Sequence, residues 1–264
     1  MFDFSSIPVR DYWILLQVLA RVSALIAIAP VFGASQVPPQ VKVLLSIVLS
    51  LIVWPLAYAA LKGESVPSNF YSMGIVLMGN ALIGLAMGFV VSLTLNAVQI
   101  AGSILDLQVG FTVAQTFNAE IGELAAPLTQ LQYMYSILLF ILANGHYMLI
   151  SALGQSFALI PESALKMASS SSLDYVVKLT GTTMLDGITI AAPVAAVMLV
   201  VDLSLAYLSR AVPQMNVFYV GTPVKLIIGL IMMIAVLPMT ALLFGHMVSQ
   251  SPFDLLGAFG AMER

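Results

Sequence analysis

Residues 71–102 read YSMGIVLMGNALIGLAMGFVVSLTLNAVQIAG, a stretch without Asp, Glu, Lys or Arg. A surface helix of a water-soluble domain carries a charged, polar face, and this stretch has no charge at all. A transmembrane helix needs about 20 predominantly apolar residues. At 1.5 Å per residue this one extends roughly 48 Å, half as long again as a hydrocarbon core of about 30 Å. It is expected to tilt, bend or leave the membrane. Its glycines include the run Gly84-Leu85-Ala86-Met87-Gly88, whose small-xxx-small spacing lets a second backbone approach. Packing within this chain and packing against a partner both fit that spacing.

Outward from this stretch the pattern repeats. Apolar segments run over Tyr12–Ala29, Val43–Leu61, Leu131–Ser151, Ile188–Ser209 and Val224–Val248. Prolines 30, 38, 39, 67, 127, 161, 213 and 223 are expected to mark turns at segment ends. Pro55, Pro193 and Pro238 lie inside apolar runs, where kinked helices packed in protein are expected. Ser169–Ser172 reads as a loop tip. The reading is an all-α membrane protein of about six to eight long, kinked apolar helices or helical hairpins. It forms a single domain over 1–264, with a point of subdivision near 165–185.

Composition agrees. Of 264 residues, 61% are hydrophobic and 8% charged, against about 25% charged in soluble domains. A net charge of −3 without a basic run excludes nucleic acid as a partner. The absence of cysteine excludes disulfides and thiolate metal sites. Met1–Arg10 lacks the pattern of a cleaved signal peptide, so the first helix is expected to stay in the mature protein. No Lys or Arg occurs between Lys62 and Lys166, so the cations set no clear orientation. The chain is thus either a bundle with uninformative short loops or one not inserted as a conventional six-span bundle.

Charges within apolar segments are expensive and need partners. Arg21 lies midway along the first segment, with Asp202 in the fifth and Asp106 and Asp186 at segment ends as candidate partners. Arg21, Asp106 and Asp202 are the expected buried charges, and a structural ion pair is favoured over a conduction role. His146 and His246 each follow a glycine near the end of an apolar run, without the further ligands that zinc requires. No cofactor is expected. Nor is an enzyme: intramembrane-protease motifs, a nucleophile elbow and a phosphate-binding Gly-x-x-x-x-Gly-Lys run are all absent.

The stretch Asp106–Glu120 mixes polar, small and aromatic residues without cations. Composition alone reads it as an external loop; a re-entrant or pore-facing element is the sharper alternative.

Several motifs in order carry a family resemblance: Arg21-Val22-Ser23, Ala29-Pro30-Val31-Phe32-Gly33, Val37-Pro38-Pro39-Gln40-Val41-Lys42, Ala101 through Phe111, Asn144-Gly145-His146, Arg210 through Phe218, and Gly221-Thr222-Pro223-Val224-Lys225. Together they resemble the FliR family of flagellar type III secretion export-gate membrane proteins. The resemblance implies a FliP-like part fused to a FliQ-like part, in the bacterial inner membrane at the flagellar basal body. It also implies assembly with FliP and FliQ into a channel for unfolded flagellar substrates, with FlhB and FlhA nearby. A plug is implied in the region after the Asp-x-Gln-x-Gly stretch, here Gly110, Phe111, Val113, Phe117, Asn118 and Glu120. Apolar side chains there suit a seal, because apolar constrictions gate by excluding water. Phe117-Asn118-Ala119-Glu120 departs from the Asp-Pro that the family often has after the aromatic. Gly84, Gly88, Gly102, Pro213, Gln214, Asn216 and Pro223 are expected in helix packing and assembly. The alternatives are an injectisome subunit of the same family and a secondary transporter with a midplane site at Arg21 and Asp202.

Overall fold

The computed structural model describes residues 8–34, 37–63, 66–111, 126–160, 170–214 and 217–263. Among them are seven helices and no strand: α1 (Val9–Ile28), α2 (Pro39–Leu61), α3 (Phe70–Val109), α4 (Pro127–Leu142), α5 (Gly145–Leu159), α6 (Ser170–Ala211) and α7 (Val217–Glu263). Five of these carry stretches long and apolar enough to cross a membrane: Val9–Ile28, Pro39–Leu61, Phe70–Val109, Asp174–Ala211 and Tyr219–Gln250. The all-α membrane architecture expected from the sequence is the one observed. In hydrocarbon every backbone N–H and C=O must be satisfied within the element, which leaves the helix as the default for such segments.

Local signals set several boundaries. Pro39 and Pro127 occupy the first helical positions of α2 and α4, where a missing N–H costs nothing. Helix α3 ends at Val109, and Gly110 follows at φ +95°. Its N–H donates to the carbonyls of Asp106 and Leu107, both at 3.2 Å.

Four expectations are corrected. The fourth apolar segment is interrupted: Asn144 takes a left-handed conformation (φ 57°) between α4 and α5, because Asn tolerates that region better than a branched residue. Pro223 lies inside α7 rather than at a turn, and Ser170–Ser172 begin α6 rather than forming a loop tip. Helices α3, α6 and α7 have 40, 42 and 47 residues, so the overlong segment is one of three.

The chain divides into two compact units. One comprises positions 1–93, 144–179 and 249–264. In it α1 packs against α2, and α2 against α5. The other comprises positions 94–143 and 180–248. Its core cluster is Leu105, Val109, Leu128, Val194, Met198, Met233 and Val236.

Polarity in both units runs opposite to that of a soluble protein. Leu242, Tyr207 and Leu203 are widely exposed, whereas Gln17, Arg21, Asn80, Asp106, Gln132 and Ser156 are buried. Lipid tails give apolar side chains no reason to turn inward, so close packing of small residues and hydrogen bonds hold such helices together.

Candidate functional site

Two buried polar centres stand out, one in each unit. In the first, α1 carries Gln17 and Arg21 four residues apart, hence on one face. Arg21 is 1% exposed. Its Nε and Nη2 donate to Asn80 Oδ1 on α3 at 3.0 and 2.7 Å. Its Nη1 donates to Ser156 Oγ on α5 at 2.9 Å, and Nη2 also to the carbonyl of Ile160 at 3.2 Å. The guanidinium lies 4.0 Å from the centre of the Phe157 ring, a favourable cation–π arrangement. Asn80 Nδ2 donates to Gln17 Oε1 at 3.3 Å and to the carbonyl of Val76 at 3.0 Å. Ile160 caps the C-terminus of α5, where the helix dipole favours a cation.

Gly84 explains how α3 comes so near α1. A Cβ there would lie 2.1 Å from the carbonyl oxygen of Arg21, so any side chain would push the helices apart. At Gly88 the nearest atom would be the carbonyl oxygen of Leu25, at 3.0 Å. Both glycines thus serve packing within this chain.

The second centre is built around Asp106, between α3 and α4. Asp106 is 2% exposed on the last turn of α3. Its Oδ1 accepts from the backbone N–H of Leu128 at 3.1 Å. Its Oδ2 accepts from the N–H of Thr129 at 2.9 Å and from the Thr129 hydroxyl at 2.6 Å. Helix α4 has Ala126 at its N-cap and no side-chain cap of its own. Asp106 therefore caps it from 22 residues upstream, placing a carboxylate on the positive end of the helix. One turn earlier Gly102 opens the approach, since a Cβ there would meet the Thr129 Cα at 2.6 Å.

On α6 and α7, Asp202 pairs with Lys225. The Asp202 side chain is 42% exposed, which corrects its expected burial. Lys225 Nζ also lies 3.5 Å from the carbonyl of Gln108. Phe111 packs, partly buried, against the core cluster. Asn80, Ser156, Thr129 and Lys225 were not anticipated for these roles. For the first two the available signal was a polar side chain inside an apolar helix; for Thr129, it was the Pro127-Leu128-Thr129 helix start.

Val113, Phe117, Asn118 and Glu120 lie outside the described residues, as does Asn216. Pro213 and Gln214 form an exposed turn between α6 and α7. Among the described residues no group of three or more His, Cys, Asp or Glu side chains is placed to hold a metal ion.

The sequence matches known proteins along nearly its whole length. A family model described as "Bacterial export proteins, family 1" matches residues 12–251. The chain is 33% identical over 240 residues to the flagellar biosynthetic protein FliR of Escherichia coli K12, covering 90% of this chain and 89% of that protein. It is 31% identical over 237 residues to FliR of Pectobacterium carotovorum, covering 89% and 88%. It is 29% identical over 221 residues to FliR of Bacillus subtilis, covering 83% and 84%. A helical membrane chain with this extent of matching belongs to the bacterial export proteins, family 1.

Proposed function

We propose that the chain is a subunit of the flagellar type III protein export gate in the bacterial inner membrane. In this reading it acts as a single export-gate domain with FliP and FliQ, close to FlhB and FlhA, and forms with them the channel that unfolded flagellar substrates enter. It carries out no chemistry of its own. The observation that carries the reading is the near full-length match to proteins named as flagellar biosynthetic FliR.

Gly110, Phe111, Val113, Phe117, Asn118 and Glu120 belong to the plug in this reading, with Phe111 anchoring it at its base. The exposed Pro213-Gln214 turn, Asn216 and Pro223 face partner subunits. The broad apolar surfaces of α2, α6 and α7 meet lipid or neighbouring helices, and a passive seal of apolar side chains excludes water from the channel.

Co-expression with FliP and FliQ, purification in mild detergent and mass measurement of the intact complex test the assembly. A three-component complex is the expected result, and a stable monomer that ignores both partners overturns it. Deleting the chain in its host separates the flagellar from the injectisome reading: motility is lost under the first, and effector secretion with motility intact under the second.

A further inference from the structure

Two contacts within the second unit fix the register of α6 against α7. Asp202 pairs with Lys225, and a Cβ at Gly221 would meet Leu205 Cδ1 at 3.1 Å. The helices therefore run antiparallel there, and the chain differs sharply on the two sides of the ion pair.

On one side lie positions 187–201 of α6 and 226–245 of α7, which contain no Asp, Glu, Lys or Arg. At 1.5 Å per residue the α7 block is about 30 Å long, the thickness of a hydrocarbon core, and the α6 block about 22 Å. Asp186, which ends the shorter block, has His246 at the end of the longer one as an electrostatic partner. Leu199, Ile227, Ile231, Ile234 and Leu242 are exposed along these blocks.

On the other side, toward the turn between the helices, Tyr207 and Tyr219 are 77% and 76% exposed and stand about 7–9 Å beyond the pair along their helices. Arg210, also exposed, follows at about 12 Å. Headgroups add about 5–8 Å to each side of the core. Tyrosine concentrates at that depth, and a long arginine side chain can reach back to the phosphates. Apolar block, ion pair, tyrosines and arginine thus succeed one another in the order that a bilayer imposes. A protein partner imposes no such order with depth.

We propose that the exposed α6–α7 face meets phospholipid, with the Asp202–Lys225 pair at the boundary between hydrocarbon and headgroups and with Tyr207, Tyr219 and Arg210 in the headgroup layer. This deepens the export-gate reading above, in which lipid and neighbouring helices are alternative covers for the same face.

The chain contains no cysteine, so single-cysteine variants can carry a nitroxide at chosen depths. Ile234→Cys, Leu203→Cys, Val220→Cys and Val212→Cys all change exposed side chains. They place the label about 13 Å inside the pair, beside it, and about 7 and 15 Å beyond it. Each variant is co-purified with FliP and FliQ and reconstituted in vesicles of phosphatidylethanolamine and phosphatidylglycerol. Spin relaxation is then measured with oxygen, which enters hydrocarbon, and with a water-soluble nickel chelate. Position 234 should respond to oxygen and lose the nickel response, position 212 should do the reverse, and the crossover should fall between 203 and 220.

A label at 234 shielded from both reagents means that a neighbouring subunit covers the face, and a nickel response there means that water does; either overturns the proposal. A crossover outside 203–220 removes the ion pair from the boundary and overturns it as well. Should Ile234→Cys fail to assemble, Ile231→Cys, exposed in the same block, takes its place. If the unaltered chain forms no complex with FliP and FliQ, the gate reading fails, and the same profile on the chain alone in these vesicles decides the depth assignment.

Discussion

Arg21 donates twice to one oxygen of Asn80, from Nε at 3.0 Å and from Nη2 at 2.7 Å, and the Asn80 amide in turn donates to Gln17. A neutral side chain thus orients a buried cation across the α1–α3 contact. Replacing Asn80 with Leu leaves those two N–H groups without their acceptor, at a cost of about 2–3 kcal/mol. Unfolding of the purified chain in detergent should register this loss. Arg21→Lys should not be conservative, because an ammonium cannot reproduce the planar fork. The Arg21→Leu, Asn80→Leu double variant should recover part of the loss. A double variant as unstable as the sum of the singles would show that the two residues act independently.

The glycines of α3 give a graded series. Gly84→Ala places a methyl group 2.1 Å from a backbone carbonyl and should cost about 1–3 kcal/mol through forced separation of α1 and α3. Gly88→Ala, with its nearest contact at 3.0 Å, should cost less. Gly74→Ala meets nothing within 4 Å and should be neutral or gain up to about 1 kcal/mol of helix propensity. Thermal unfolding midpoints in one detergent are expected in the order Gly74→Ala, Gly88→Ala, Gly84→Ala, from highest to lowest. Equal effects at positions 74 and 84 would remove the close-approach explanation.

Val31 sits at φ 72° in the turn after α1, a region that a β-branched residue enters only at a cost. The turn is held from outside: the Gly33 N–H donates to the Ala29 carbonyl at 2.7 Å, and Lys42 Nζ to the Gly33 carbonyl at 2.9 Å. Val31→Gly should therefore stabilise the chain by about 1 kcal/mol. Lys42→Met, which releases the turn, should diminish that gain. A loss of stability on Val31→Gly in detergent unfolding would count against strain at this position.

The sequence made the helices legible because a charge-free run of this length has few other solutions. The partners were harder to read. Asn80 is no acid, so seeking a carboxylate for Arg21 leaves it out, although Asn80 and Gly84 are four residues apart on α3 just as Gln17 and Arg21 are on α1. Two polar-and-small faces of matching spacing were the available signal. Asp106 was recognised as a charge needing satisfaction, yet its donors are backbone N–H groups at a helix start, which no side-chain inventory contains. The break at Asn144-Gly145 was written in a dipeptide that commonly marks turns, but the apolar residues on both sides concealed it. Pro223 was misplaced for the opposite reason: in a membrane helix, neighbouring groups can satisfy the carbonyl that a proline frees.

The pair of Asp202 and Lys225 joins α6 to α7 beside strongly apolar, exposed side chains, Leu203 at 63% and Ile227 at 59%. A lone charge on such a face faces an insertion cost of about 2.5–3.5 kcal/mol at the bilayer centre, and pairing offsets part of it. Lys225 also reaches toward the Gln108 carbonyl near the end of α3, so the pair sits beside the helix end that carries Asp106. Replacing Lys225 with Leu strands the carboxylate, and replacing Asp202 with Leu strands the ammonium. Each single variant should reduce the yield of intact complex and the motility it supports. The Asp202→Leu, Lys225→Leu double variant should assemble better than either single variant, because an apolar pair of similar volume often replaces an ion pair without loss. The charge-reversed pair, Asp202→Lys with Lys225→Asp, keeps the attraction but moves the cation away from Gln108. If it assembles normally but leaks, the Lys225–Gln108 contact helps hold the C-terminal end of α3; if it remains sealed, the two charges serve only each other.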